Sequence, residues 1–183
     1  MAKMKEMSVV AEEACGWPNL TRLPNGEVIC VYFNAPSHGL EEGDLVCAVS
    51  DDGGLNWKAR GVVAPHPEGG NRMHLAVGLA ANGDLLAFSS GFFVEDEEFA
   101  GFAGQWLSRS SDGGRTWDVD EKPSIPEPCV GAIPFGRVIK LSDGRLAYAC
   151  YRSQGLGNPS ETWIGFSEDD GKTWPSFSTF GED

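Results

Sequence analysis

The chain has 183 residues and a formal net charge of −13, from 14 Lys and Arg against 27 Asp and Glu. A surface of that sign excludes nucleic acid as a partner, because binding a polyanion takes a basic patch. No apolar run reaches the roughly 18 residues that a membrane span needs, so no membrane partner is expected, and 24 Gly with 11 Pro mark a turn-rich, all-β globular chain.

Residues 1–10 carry two Lys but no apolar core long enough for a secretory signal. The first predicted unit follows. Runs 19–23 and 27–33 flank Asn25-Gly26, a dipeptide that signals a tight hairpin and, in a type I′ turn, takes positive φ at both positions. A loop over 34–44 leads to a third strand, 45–50, which ends in Ser50-Asp51-Asp52-Gly53-Gly54-Leu55-Asn56-Trp57. A fourth strand then closes the unit.

The second unit repeats the plan. Runs 75–80 and 84–89 flank Asn82-Gly83, a loop spans 90–105, and Ser110-Ser111-Asp112-Gly113-Gly114-Arg115-Thr116-Trp117 follows. In the third, runs 137–141 and 145–151 flank Asp143-Gly144. A loop spans 152–161, and the motif returns as Ser167-Glu168-Asp169-Asp170-Gly171-Lys172-Thr173-Trp174. The three motifs start 60 and 57 residues apart. Such a period marks one supersecondary unit copied along the chain, and four antiparallel strands per unit predict a propeller blade. The blades are placed at about residues 15–63, 71–120 and 130–180.

The motif has turn chemistry of its own. Its glycines open backbone conformations closed to other residues. Asp52, Asp112 and Asp169 are placed to accept hydrogen bonds from nearby amides, and Trp57, Trp117 and Trp174 to fold over the blade core. The resemblance to the start of a calcium loop ends there, since such a loop needs a Glu at its twelfth position and flanking helices. No metal and no cofactor are expected. Cysteines at 15, 30, 47, 129 and 150 form an odd set with no C-x-x-C pair, which speaks against a zinc site or a disulfide framework. Reduced thiols, with Cys30, Cys47 and Cys150 inside predicted strands, fit a cytoplasmic location. Asn19-Leu20-Thr21 matches the glycosylation pattern but falls in a predicted inner strand.

In a four-strand meander the first and third turns lie at one end, and the middle loops and inter-unit connections at the other. The motif turns therefore mark the back, and function is expected at the opposite mouth. Arg72 and Arg152 are candidates there to grip a carboxylate through paired hydrogen bonds, with Arg137 a weaker third. Asn71 and Trp17 join them as candidate substrate contacts. His38, Glu41 and Asp44, grouped in the first mouth loop with Glu42, are candidate acid/base groups. Residues 95–98 are four adjacent acids, read as a solvated run. Phe92, Phe93, Phe99, Phe102 and Trp106 frame them as a hydrophobic lip.

Ser-x-Asp-x-Gly-x-Thr-Trp resembles the Asp-box, or BNR repeat, of the sialidase superfamily. Residues 17–26, Trp-Pro-Asn-Leu-Thr-Arg-Leu-Pro-Asn-Gly, resemble that family's entry to its first blade, and the resemblance runs from about Cys15 to Trp174. In the boxes the carriers are Ser50, Asp52, Gly54 and Trp57, then Ser110, Asp112, Gly114, Thr116 and Trp117, then Ser167, Asp169, Gly171, Thr173 and Trp174. The resemblance implies a sialidase-like β-propeller of six blades, of which three units make half. The remaining blades are expected from a longer chain, this being its N-terminal half, or else from a second copy.

The resemblance also implies a glycoside hydrolase of the exo-sialidase type, acting on terminal sialic acid or a related acidic glycan. Three arginines would surround the substrate carboxylate, with an early Asp as acid/base and a Tyr–Glu nucleophile pair. The chain departs from this pattern at two places. Aligning the family's Arg-Ile-Pro on Pro18 puts Gly16 where the arginine stands, and Val31-Tyr32-Phe33-Asn34-Ala35 replaces the Asp-x-Arg segment. Glu127 and Glu161 are the glutamates available nearby. These departures keep open a non-catalytic module that binds a glycan or a protein, and the chain alone is expected not to turn over sialosides.

Overall fold

Three glycine turns fix the strand order. In the computed structural model, which describes residues 8–152 and 160–180, Gly26, Gly83 and Gly144 take φ of 93°, 92° and 94°. The residues before them do not enter the left-handed region, so these hairpins are not type I′. Each is a three-residue loop instead: Gly26 N–H donates to Leu23 O and Leu23 N–H to Glu27 O, repeated at Ala80–Asp84 and Leu141–Arg145. This is a type I turn closed by a left-handed glycine. The Asn25, Asn82 and Asp143 side chains spend their oxygens on the amides two residues on, which is what selects Asn and Asp there.

Among the described residues twelve strands follow. They are β1 (Gly16–Arg22), β2 (Val28–Phe33), β3 (Leu45–Ser50) and β4 (Lys58–Ala64), then β5 (His74–Leu79), β6 (Leu85–Glu95), β7 (Glu98–Ser110) and β8 (Asp118–Asp120). After one turn of helix, α1 (Glu127–Val130), come β9 (Ile133–Lys140), β10 (Leu146–Arg152), β11 (Glu161–Ser167) and β12 (Ser176–Phe180). Each group of four is an antiparallel meander. The first forms its own sheet, while the second and third join edge to edge through parallel β5 and β9, paired from Ala76–Gly136 to Gly78–Val138. A Cβ at Gly78 would collide with the Val138 carbonyl, so the close approach demands glycine.

Side-chain alternation assigns the faces. Counting back from the box serines, Val49, Cys47 and Leu45 face the second meander, and Arg109, Leu107 and Gln105 face the third. One core lies between meanders one and two, around Ile29, Val31, Leu45, Val77, Leu85 and Trp106. The other lies between two and three, around Leu86, Phe88, Leu107, Tyr148, Trp163 and Trp174. β5 feeds both cores and is buried on both sides, which explains its unbroken apolar run. In the second core Phe88 stacks on Tyr148 with centroids 3.8 Å apart, and Trp174 meets both rings at 5.0 Å. Each fully buried aromatic of this kind contributes on the order of 2–3 kcal/mol.

The three Asp-boxes share one geometry. Ser50 Oγ donates to Asp52 and accepts from Gly54 N–H, at 2.8 Å in both cases, and Asp52 accepts from the amides of Leu55 and Asn56. The same pattern recurs around Asp112 and Asp169. Donation from Asn56 holds the Asp52 pKa down at about 2. At Asp169 burial pushes upward, but donors led by Thr173 outweigh it and the value is again about 2. The tryptophans differ from expectation. Trp174 is fully buried and Trp117 packs on the first core, but Trp57 only covers its own turn, its indole N–H on Gly54 O at 3.1 Å. Trp117 and Trp174 pack toward the preceding meander, and among the described residues no meander stands before the first box.

The boxes are also seated on their predecessors. Arg60, paired with Glu27 at 2.8 Å, donates to Gly113 O of the second box, and Cys47 Sγ donates to Gly114 O. Arg109, paired with Asp84 at 2.7 Å, donates to Asp170 O of the third. Donation from Arg60 brings the Glu27 carboxyl down to about 2. The five cysteines are free thiols, all but Cys15 buried.

Candidate functional site

Opposite the boxes, the loop 34–44, the connection 65–73 and the β6–β7 hairpin gather around the start of β5. The long loop expected over 90–105 is instead a continuous hairpin. β6 and β7 pair up to Glu95–Glu98. The two-residue tip, Asp96 and Glu97, takes positive φ at both positions (50° and 61°), so the type I′ geometry appears here, in the acidic run.

Asn71 ties these segments together. Fully buried, it donates from Nδ2 to Gly39 O at 2.7 Å, accepts from Phe92 N–H at 3.1 Å, and pairs its own N–H with Phe92 O at 3.0 Å. Its neighbour Arg72 is fully buried too. The guanidinium lies 3.4 Å from the Trp106 ring centroid and donates to Gly104 O (2.8 Å) and Ala103 O (2.6 Å). Burial lowers its pKa to about 10. Both residues build the mouth from beneath and present no exposed group to a ligand.

Above them lies a cluster of rings. Trp17, held at φ 49° after Gly16, sits 4.6 Å from His38, 5.7 Å from His74 and 6.2 Å from Phe33, centroid to centroid. Phe92 meets His74 edge-on at 5.7 Å and Phe99 at 4.7 Å. His38 is exposed, whereas His74 is 7% exposed and its Nδ1 has no hydrogen-bond partner among the described residues. Burial, with His38 nearby, lowers the His74 pKa to about 4. The ring is therefore neutral at physiological pH, with one nitrogen to donate and one to accept. His74 was not singled out in the sequence. The available signal was its place at the head of an apolar strand, two residues after Arg72.

The carboxylates separate by role. Asp44 Oδ1 accepts from His66 N–H at 2.8 Å and meets His66 Nδ1 at 2.7 Å, clamping the loop 34–44 to the connection 65–73. Glu42 caps Gly69 N–H at 2.5 Å, and Glu41 is exposed. Arg152, 42% exposed, donates to Pro128 O at 2.9 Å and lies 3.9 Å from Glu161 and 5.3 Å over Trp163. Glu127 opens α1 beneath it. Most of the third mouth loop, 153–159, lies outside the described residues. The structure thus brings Trp17, His38, Asn71 and Arg72 to one mouth, and Glu41 and Asp44 to its rim. Arg152 sits on the third meander.

Meanders with box turns at one end and ring-lined loops at the other match the family model of the BNR repeat-like domain over residues 19–180, and the chain belongs to that family. Its fold is that of the sialidase-like BNR proteins. A Dyadobacter fermentans protein of unknown function is similar at 22% identity and a TM-score of 0.76, over 94% of this chain and 57% of that one. The Hadza microbial sialidase Hz136 is similar at 23% identity and 0.69, over 86% and 36%. The α-L-arabinofuranosidase Arb93A of Fusarium graminearum, solved with an iminosugar inhibitor, is similar at 19% and 0.60, over 88% and 49%. The chain thus spans about a third to somewhat over half of these chains. No curated protein matches it.

Proposed function

We propose that the chain supplies three blades of a six-bladed, sialidase-like propeller of the glycoside-hydrolase type, and that its mouth binds a sugar. The observation that carries this reading is the Trp17–His38–His74 cluster. The half-buried Trp17 ring beside the exposed His38 imidazole, with neutral His74 packed behind them, matches a sugar's apolar C–H face and its hydroxyls. Fold similarity to two glycoside hydrolases supports the class.

Terminal sialic acid or a related acidic glycan remains the substrate suggested by the sialidase neighbour, with Arg152 as the exposed cation. A second reading is favoured by Arg72. Because its guanidinium is used on Ala103 and Gly104, the described mouth holds no exposed arginine beside the rings, and a neutral sugar, as on the arabinofuranosidase, fits it better. The acid/base group in either case is Glu41 or His38, since Asp44 is engaged by His66. Aryl sialosides and aryl arabinofuranosides, incubated with the purified chain, test for turnover. Ligand-observed NMR with the free sugars tests for binding. Binding without turnover is expected of the chain alone, and failure of every sugar to bind would overturn the reading.

A further inference from the structure

Among the described residues the seating of one box on the preceding meander occurs twice and leaves two halves of a third seat without a meander partner. The box without a meander beneath it is the first, where Ser8 Oγ donates to Gly54 O at 2.6 Å. A Cβ on Gly53 would meet nothing within 4 Å and one on Gly54 only the Trp57 ring, whereas Gly114 is packed by Cys47 and Leu85 and Gly171 by Leu86 and Leu146. The unused seat is on the third meander. Its free face carries Phe135 (54% exposed) and Ile139 (49% exposed) on β9, with Tyr151, Ile164 and Phe166 beside them. Phe166 holds the strand position that Arg109 holds in the second meander, one before the box serine. Arg145 lies over it at 4.8 Å and pairs with Asp143 at 2.8 Å. A guanidinium paired to an acid therefore stands on the third meander as Arg60 and Arg109 do on the first two. The first meander presents the matching apolar side, with Leu20 53% and Val62 48% exposed.

We propose that a second copy of this chain fills the seat: the first box of each copy docks on the third meander of the other, Arg145 donating to the Gly53–Gly54 turn and Trp57 packing against Phe135 and Phe166. Both halves of the contact lie on one chain, so a half-turn makes the contact twice and leaves neither half open.

The test is the solution mass of the purified chain by light scattering, from low to high micromolar concentration. The expected result is a species of twice 19.7 kDa. Phe135→Asp, at an exposed position, and Arg145→Glu, at a half-exposed one, are expected to weaken the dimer at least about tenfold while leaving the circular dichroism spectrum unchanged. A monomer throughout overturns the proposal. So does an open-ended series of larger species, or a dimer indifferent to both substitutions.

Discussion

The Arg72 guanidinium stacks 3.4 Å from the Trp106 ring centroid while it donates to two backbone carbonyls of β7. A cation so placed is a structural member of the mouth. Arg72→Ala would strand the Ala103 and Gly104 carbonyls and open a void, at a cost of about 2–4 kcal/mol. Urea unfolding should show that loss, and Arg72→Lys should recover little of it, since an ammonium lacks the planar fork.

Asn71 is expected to be nearly as costly. Asn71→Ala removes two side-chain hydrogen bonds, one to buried Gly39 and one from half-buried Phe92, worth about 2–3 kcal/mol together. Gly91→Ala would drive a methyl into the Asn71 carbonyl. Both variants should raise proteolytic nicking in the loop 34–44 and the β6–β7 hairpin before the cores are affected. Cleavage sites mapped by mass spectrometry would decide it.

The depressed pKa of His74 predicts a specific pH dependence. Between the ordinary histidine value, about 6.5, and the folded value of about 4, the unfolded chain binds a proton that the folded chain does not. Stability is therefore full above about pH 6.5 and declines as pH falls toward 4. His74→Phe should flatten that part of the curve, read as the urea midpoint against pH. The box carboxylates act lower down. With Asp52 and Asp169 held at about 2, their contribution is lost only as pH falls from the usual carboxylate range, near 4, toward 2.

The three box tryptophans should not be equivalent in the isolated chain. Trp174→Ala empties the second core and is expected to cost about 3–5 kcal/mol. Trp57→Ala removes a ring that covers only its own turn, and under monomeric conditions should cost less than about 1 kcal/mol. Equal losses would show that box tryptophans act within their own meander and not on the preceding one.

Much of this architecture was legible in the sequence because it repeats. The Ser–Asp–Gly–Trp boxes and the glycine turns recur with the same spacing, and each recurrence strengthened the others. The site was less legible for physical reasons. Arg72 reads as a ligand-binding arginine until the carbonyls of Ala103 and Gly104, more than thirty residues away, are seen to take its protons. Asp44 reads as a free acid until His66 is found against it. The acidic tip at Asp96-Glu97 hid a tight turn, since nothing in its composition offers the usual asparagine or glycine. Burial of a charged group depends on which distant backbone meets it, and local pattern carries no record of that.

The latch between meanders has a consequence for how such a chain diverges. Arg60 reaches the next box from the fourth strand of its meander and Arg109 from the third strand of its own, yet both pair with the acid after the glycine turn and end on a box carbonyl. The guanidinium keeps its place in space while changing its place in the sequence. The repeats are alike as shapes and no longer interchangeable as text. A chimera that moved one meander into another's slot would keep every strand and turn, yet carry its arginine on the wrong strand.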